Sequence, residues 1–159
     1  MSHDTVIVRA ADAEVLSDGP GSNITLIADS DRTDGAVTTN RALLKPGSAG
    51  APSHFHTRAS EMFFVIDGTL EVLNGDKIVT LEKGDTMIVP PKTPHAFAPA
   101  AGTYADVLVV FTPGMDRFDY YRLLDQVHRG EATFDDIRAS QERYDNHYVD
   151  SPVWKARAL

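Results

Sequence analysis

Three histidines and one glutamate hold the most specific chemistry in this 159-residue chain. The first segment is Ser53-His54-Phe55-His56-Thr57-Arg58-Ala59-Ser60-Glu61. Residues two apart on a strand point to the same face, so His54 and His56 present both imidazoles to one side. Glu61 lies five residues beyond His56. A turn through 57–60 must therefore carry it to the next strand, from which its side chain can return toward the same interior. Counting alternately, Glu61, Phe63 and Val65 share a face that would line a pocket, while Met62, Phe64 and Ile66 share the opposite one. Downstream, Gly84-Asp85-Thr86-Met87-Ile88-Val89-Pro90-Pro91-Lys92-Thr93-Pro94-His95 reads as a strand and a proline-stiffened turn that deliver a third histidine to another strand. Three imidazoles and a carboxylate without sulfur suit one divalent first-row ion (iron, nickel, manganese or zinc), with one or two positions left for water or substrate.

The elements that must position these groups are short strands. From 23 to 111 the chain alternates β-type runs with turn residues: 24–28, 36–44, 53–56, 61–66, 69–73, 78–81, 86–89, 95–98 and 105–111. Asp67-Gly68 and Asn74-Gly75 read as two-residue hairpin turns, with Lys83-Gly84-Asp85 and Pro90-Pro91 as further breaks. Many short strands at this spacing predict an all-β sandwich or barrel. After Thr112-Pro113-Gly114 the spacing becomes helical, with Phe118, Tyr121, Leu124 and Val127 at three-residue intervals before Gly130. A second helix is expected from Thr133, with Asp136 three residues on. Both are too short to bury a core alone, so they should pack outside the barrel or against a second subunit. The stretch 148–159, with Pro152 and the only Trp, Trp154, reads as an extended tail that packs on a neighbouring subunit, with closure of the barrel mouth by Trp154 as the alternative. These readings divide the chain into an N-terminal segment (1–22), a barrel (23–114) and C-terminal helices with a tail (115–159).

Composition removes other classes. Lys plus Arg number 15 against 23 Asp plus Glu, a formal charge of −8 that repels phosphate backbones and argues against nucleic acid as a partner. The absence of Cys excludes disulfides, thiolate metal sites and cysteine nucleophiles. Residues 1–10 lack the basic and apolar pattern of a signal peptide, and no apolar run approaches a membrane span. A cytoplasmic protein without membrane contact is the expectation.

Two motifs make the stretch from 40 to 111 resemble the cupin superfamily. The first is carried by His54, His56, Glu61 and Gly68, the second by Gly84, Pro90 and His95. The family pattern has glycine where this chain has Ser48 and Lys92, and asparagine where it has Pro99; none of the three is a metal ligand in that family. The resemblance implies a cupin-type jelly-roll β-barrel, one bound metal ion, and His54, His56, Glu61 and His95 as its ligands. Thr112-Pro113-Gly114-Met115-Asp116-Arg117-Phe118 is similar to the end of the barrel in small single-domain, quercetin-dioxygenase-like cupins.

Family resemblance leaves the reaction open, because one fold carries many chemistries. The leading expectation is a metal-dependent dioxygenase acting on a small aromatic or enolic molecule, with Glu61 as the catalytic base. The alternative is a non-oxidative isomerase, cyclase or lyase acting on a carbonyl compound. Phe63 and Phe97, each two residues from an expected ligand, are assigned to the substrate wall. Arg41 is assigned to a polar substrate group, with Asn40 as the choice of opposite parity. His3, His128 and His147 lack partners at ligand spacing and receive no role. Exposed Met62, Phe64 and Ile66 point to a homodimer.

Overall fold

The computed structural model describes residues 4–157, so His3 and the outermost residues of both terminal segments lie outside the described residues. Ten strands and four helices follow in chain order: β1 (Glu14–Ser17), β2 (Asn23–Ala28), β3 (Thr38–Leu44), β4 (Ala51–Phe55), β5 (Ser60–Asn74), β6 (Lys77–Glu82), β7 (Thr86–Val89), β8 (His95–Pro99), β9 (Ala105–Thr112), α1 (Phe118–His128), α2 (Phe134–Ala139), α3 (Gln141–Tyr144), β10 (His147–Tyr148) and α4 (Pro152–Lys155). No helix among the described residues is long and apolar enough to cross a membrane.

All pairings are antiparallel, and β5 joins the two halves of the barrel. Its first half lies between β9 and β7, with Glu61 opposite Phe111 and Val89. Its second half lies between β8 and β6, with Val72 opposite Phe97 and Val79. The first sheet continues through β9 to β3, β2 and β1, and the second through β8 to β4 and β10. This is the all-β barrel expected from the strand pattern, with the jelly-roll arrangement that the resemblance implies.

The turn expected at Asp67-Gly68 is instead a bend inside one 15-residue strand. The register with β9 shifts between Val65 and Asp67. Gly68 has φ 79°, and a Cβ there would stand 2.1 Å from the Tyr104 carbonyl oxygen. Only glycine fits, and the extra residue changes which positions face inward. Glu61, Phe63 and Val65 are buried before it, and Leu70 and Val72 after it. One strand can thereby serve both sheets. The true two-residue hairpin is Gly75-Asp76, between paired Asn74 and Lys77, one position beyond the expected one.

The barrel core contains Phe63, Val65, Leu70, Val72, Val107 and Phe111, none measurably exposed. A second apolar cluster joins Ile24 and Leu26 of β2 to Tyr120, Tyr121, Ile137 and Tyr144 of the C-terminal helices. Ile24 pairs with Ala42 and Leu26 with Asn40, both inward-facing positions of β3. The helices therefore lie outside the barrel core but across its open end. Gly130, in left-handed conformation, follows α1. The Thr133 and Asp136 capping box starts α2 as the sequence predicts. The tail is less extended than expected: β10 adds to β4, and the Ser151 side chain caps α4.

Candidate metal centre

The four predicted ligands meet inside the barrel. His54 ends the inward-facing part of β4 and stands directly opposite His95, the first residue of β8. His56 follows one residue after β4, and Glu61 enters from β5. All four are buried, and one ligand atom from each lies within 4.8 Å of every other. Glu61 Oε2 is 2.6 Å from His95 Nε2 and 3.0 Å from His56 Nε2.

Backbone carbonyls fix the imidazoles. His54 Nδ1 donates to Pro52 O at 2.7 Å, His56 Nδ1 to Asp145 O at 2.6 Å, and His95 Nδ1 to Thr93 O at 2.9 Å. With each Nδ1 engaged, the Nε2 atoms are left to converge on Glu61, which is how second partners orient histidine ligands in metal sites. Metal–ligand bonds of about 2.1 Å set neighbouring ligand atoms roughly 3–4 Å apart; the donor atoms of this cluster lie within 4.8 Å of one another, near that spacing. The residues present therefore fit one divalent ion held on nitrogen and oxygen.

The electrostatics favour the unprotonated, donor form of His54, His56 and Glu61, but not of His95. Burial, reinforced by His95 and His56, pushes His54 well below the usual imidazole range. Burial also lowers His56, outweighing its bond to Glu61. Burial opposes protonation of His95 too, but the Glu61 carboxylate beside it prevails and raises it. Burial would raise Glu61, yet His95 and His56 hold it well below the carboxylate range. Glu61 is thus held toward its ionised form, and His95 is the one imidazole whose protonated form it favours.

A cavity of about 1080 Å³ opens from this cluster, lined by His54 and Glu61 at its floor. That volume is at the upper end of small-molecule sites. Phe97 forms part of the cavity wall. Phe63 is fully buried behind, 5.1 Å from Phe97 and 6.2 Å from His95 between ring centroids, and supports the cluster from within the core. Arg41 is a correction. Its side chain is half exposed on the outer face, bound to Asp106 at 2.7 Å through Nε. Its neighbour Asn40 points inward, lines the cavity and accepts a hydrogen bond from Tyr121 at 3.0 Å. The alternation of β3 decides between them, and the sequence alone did not reveal its phase.

The C-terminal region supplies the groups that sequence reasoning missed. Arg117, Tyr120, Tyr121, Asn146, Tyr148 and Trp154 all line the cavity. Trp154 thus packs over the barrel mouth of its own chain. His128, given no role, lies on the cavity wall, 3.8 Å from Asp18. His147 stacks on Phe55 and bonds Asp145 at 3.0 Å. The available signal was the dense polar-aromatic run Arg143-Tyr144-Asp145-Asn146-His147-Tyr148, but its fold-back onto β4 is a long-range pairing that local patterns do not encode.

Residues 40–111 match the family described as the cupin domain. Among solved structures, KdgF from Halomonas sp. superposes with a TM-score of 0.62 at 19% identity, covering 74% of this chain and 99% of that one. Pac13 of Streptomyces, described as a nucleoside dehydratase, gives 0.58 at 17% identity over 73% of this chain and 88% of its own. The Fe(II) form of HppE gives 0.59 at 20% identity over 70% of this chain and 62% of its own. At these identities the likeness is one of fold. A search of curated proteins returned no match.

Proposed function

We propose that the protein, whose residues 40–111 match the cupin domain family, is a metal-dependent oxygenase acting on a small aromatic or enolic molecule. His54, His56, Glu61 and His95 hold the ion. The observation that carries this reading is the buried Glu61 carboxylate, set among three oriented imidazoles at the floor of an aromatic-walled cavity. When bound, iron, nickel or manganese supplies the Lewis acidity and one-electron chemistry that dioxygen requires. Glu61 accepts the proton of a substrate hydroxyl, and the walls formed by Phe97, Tyr120, Tyr121 and Leu124 keep water from the oxidised product.

A second reading rests on the hydroxyls that face the same space. Tyr120 and Tyr148 share a 2.5 Å hydrogen bond, and Tyr121 donates to Asn40. With a purely Lewis-acidic ion such as zinc, these groups and Glu61 could move a proton without oxygen, as in an isomerase, cyclase or lyase.

Elemental analysis combined with oxygen uptake against phenols, enols and β-dicarbonyl compounds tests both. The oxygenase reading expects one metal ion per chain and turnover coupled to oxygen consumption; turnover that continues anaerobically would transfer support to the second. Glu61→Gln is expected to abolish turnover with partial loss of metal. His56→Ala combined with His95→Ala is expected to lose the metal, and full occupancy in that double variant would refute the ligand assignment.

A further inference from the structure

Arg117 lies between β9 and α1 and is only 3% exposed, yet no carboxylate among the described residues forms an ion pair with it. Its Nη1 donates to Asn146 Oδ1 at 3.2 Å and to Tyr144 O at 3.5 Å. The guanidinium carbon stands 4.3 Å from the Tyr120 ring centroid and 5.1 Å from those of Tyr121 and Phe111. Two buried donors remain without an acceptor: Arg117 Nε–H and Asn146 Nδ2. Both residues line the cavity above the metal cluster.

A buried cation with no carboxylate in direct contact is costly; the Tyr120 and Tyr121 rings and, at longer range, the charge of Glu61 offset that cost. Elsewhere the fold pairs a buried arginine directly with an acid: the Arg157 side chain, 5% exposed, bonds Glu71 at 3.0 Å, although its Nε too has no acceptor. Acids near Arg117 are engaged otherwise. Glu61 is held by His56 and His95. The Asp29 carboxylate takes the backbone N–H groups of Arg117 and Phe118. The Asp145 carboxylate takes Thr57, Arg58 and His147. Asp18 on the cavity wall faces His128.

The site is close to the reaction centre. The Phe111 ring meets His56 edge-on, 5.4 Å between centroids, and also meets the Arg117 guanidinium. One aromatic ring therefore separates the cation from a metal-binding imidazole. A carboxylate is the group that guanidinium geometry pairs with best, and Arg117 and Asn146 both line the cavity.

We propose that Arg117 and Asn146 form a carboxylate subsite, and that the substrate is an organic acid whose carboxylate docks there while a hydroxyl or enol oxygen reaches the His54–Glu61 floor. This deepens the reading of the site as a metal-dependent enzyme and rests on it for the second contact only; the carboxylate contact needs no metal.

Titration calorimetry on the full chain separates the two. Stripped of metal with a chelator, the protein should bind benzoate at least ten-fold more tightly than benzamide, and loaded with metal it should prefer salicylate over salicylamide by at least the same factor. Arg117→Met should reduce both preferences to near one. Arg117→Lys, which keeps the charge but loses the planar fork, should retain only part of them. Asn146→Asp gives the guanidinium an internal carboxylate; it should melt no lower than the parent while losing the preference for acids. That combination distinguishes a ligand site from a structural arginine, and it stands even if Arg117→Met fails to fold. Equal binding of acid and amide, no binding of any of these probes, or a preference that survives in Asn146→Asp and in the foldable Arg117 variants would overturn the proposal. If the carboxylate preference holds but the metal survives loss of His56 and His95, the enzyme reading fails and the subsite stands.

Discussion

At the level of single residues, Asp145 links the C-terminal segment to the metal cluster through two different groups. Its carbonyl oxygen orients His56, and its carboxylate accepts from Thr57 N at 3.0 Å, Thr57 Oγ1 at 2.7 Å and Arg58 N at 3.0 Å, tying down the turn between His56 and Glu61. Burial would push this carboxyl up, but the Thr57, Arg58 and His147 hydrogen bonds outweigh it and bring it down to about 2. The folded value lies below the ordinary unfolded value, so the stabilisation is fully present above the unfolded value. It is lost as pH falls from about 4 through 2, and amounts to about 2 kcal/mol. Asp145→Asn is therefore expected to lower the unfolding free energy at neutral pH by roughly that amount and to flatten the acid limb of the stability curve. Metal affinity should fall roughly ten-fold, the usual cost of disturbing a ligand's supporting contacts. Urea unfolding across pH 2–7 and chelator competition measure the two effects separately. An unchanged acid limb would show that the carboxylate does not hold the turn.

At the level of elements, what the sequence revealed and what it hid follow from the range of the interactions involved. The alternation of β4 and β5 placed His54, Glu61 and Phe63 on the inward face because strand parity is local. The bend at Gly68 was hidden because Asp-Gly in isolation favours a hairpin; the close Tyr104 carbonyl and pairing on both sides keep the strand continuous instead. Arg117 and Asn146 were invisible as site residues because they reach the cavity only after α1, α2 and α3 have folded over the barrel mouth. Lys92 lies between these cases. It occupies the place of a motif glycine, and its φ of 66° shows why glycine suits that place, while its N–H donates to His56 O at 2.6 Å and anchors the turn before His95. A left-handed lysine costs about 1 kcal/mol, partly offset by the lower entropy of its unfolded chain. Lys92→Gly is thus expected to raise stability by up to about 1 kcal/mol, and Lys92→Val to lower it by at least a similar amount, since a β-branched residue tolerates this conformation least. Denaturant midpoints of the two variants check the sign; a Val variant as stable as the parent would mean that the turn relaxes freely.

At the level of the whole molecule, the helices cover one end of the barrel and leave the outer face of β5, β7 and β9 bare. Ile88 is 65% exposed and Phe64 36%, and in register with them stand Met62, Leu108 and Val110. Ile66, expected with this group, lies at the bend and is half-buried. The surviving patch is contiguous because Met62 faces both Ile88 and Val110 across the strands, while Phe64 faces Leu108. We propose that a second copy of the chain covers it, since a flat antiparallel face can pair with itself about a two-fold axis, each apolar row meeting its own counterpart. Opposing this association is charge: each copy carries a formal −8, so two copies repel at low ionic strength. Apolar burial is not screened by salt whereas that repulsion is. The dimer should therefore tighten as salt rises from about 0.01 M to 0.15 M, where the screening length falls from roughly 30 Å to 8 Å. Ile88→Glu places a carboxylate at the most exposed point of the patch, and should give a monomer whose helix and strand content matches the parent. Light scattering at micromolar concentration reads both effects. A parent monomer at every ionic strength would refute the pairing, and a dimer that survives Ile88→Glu would locate it on another face.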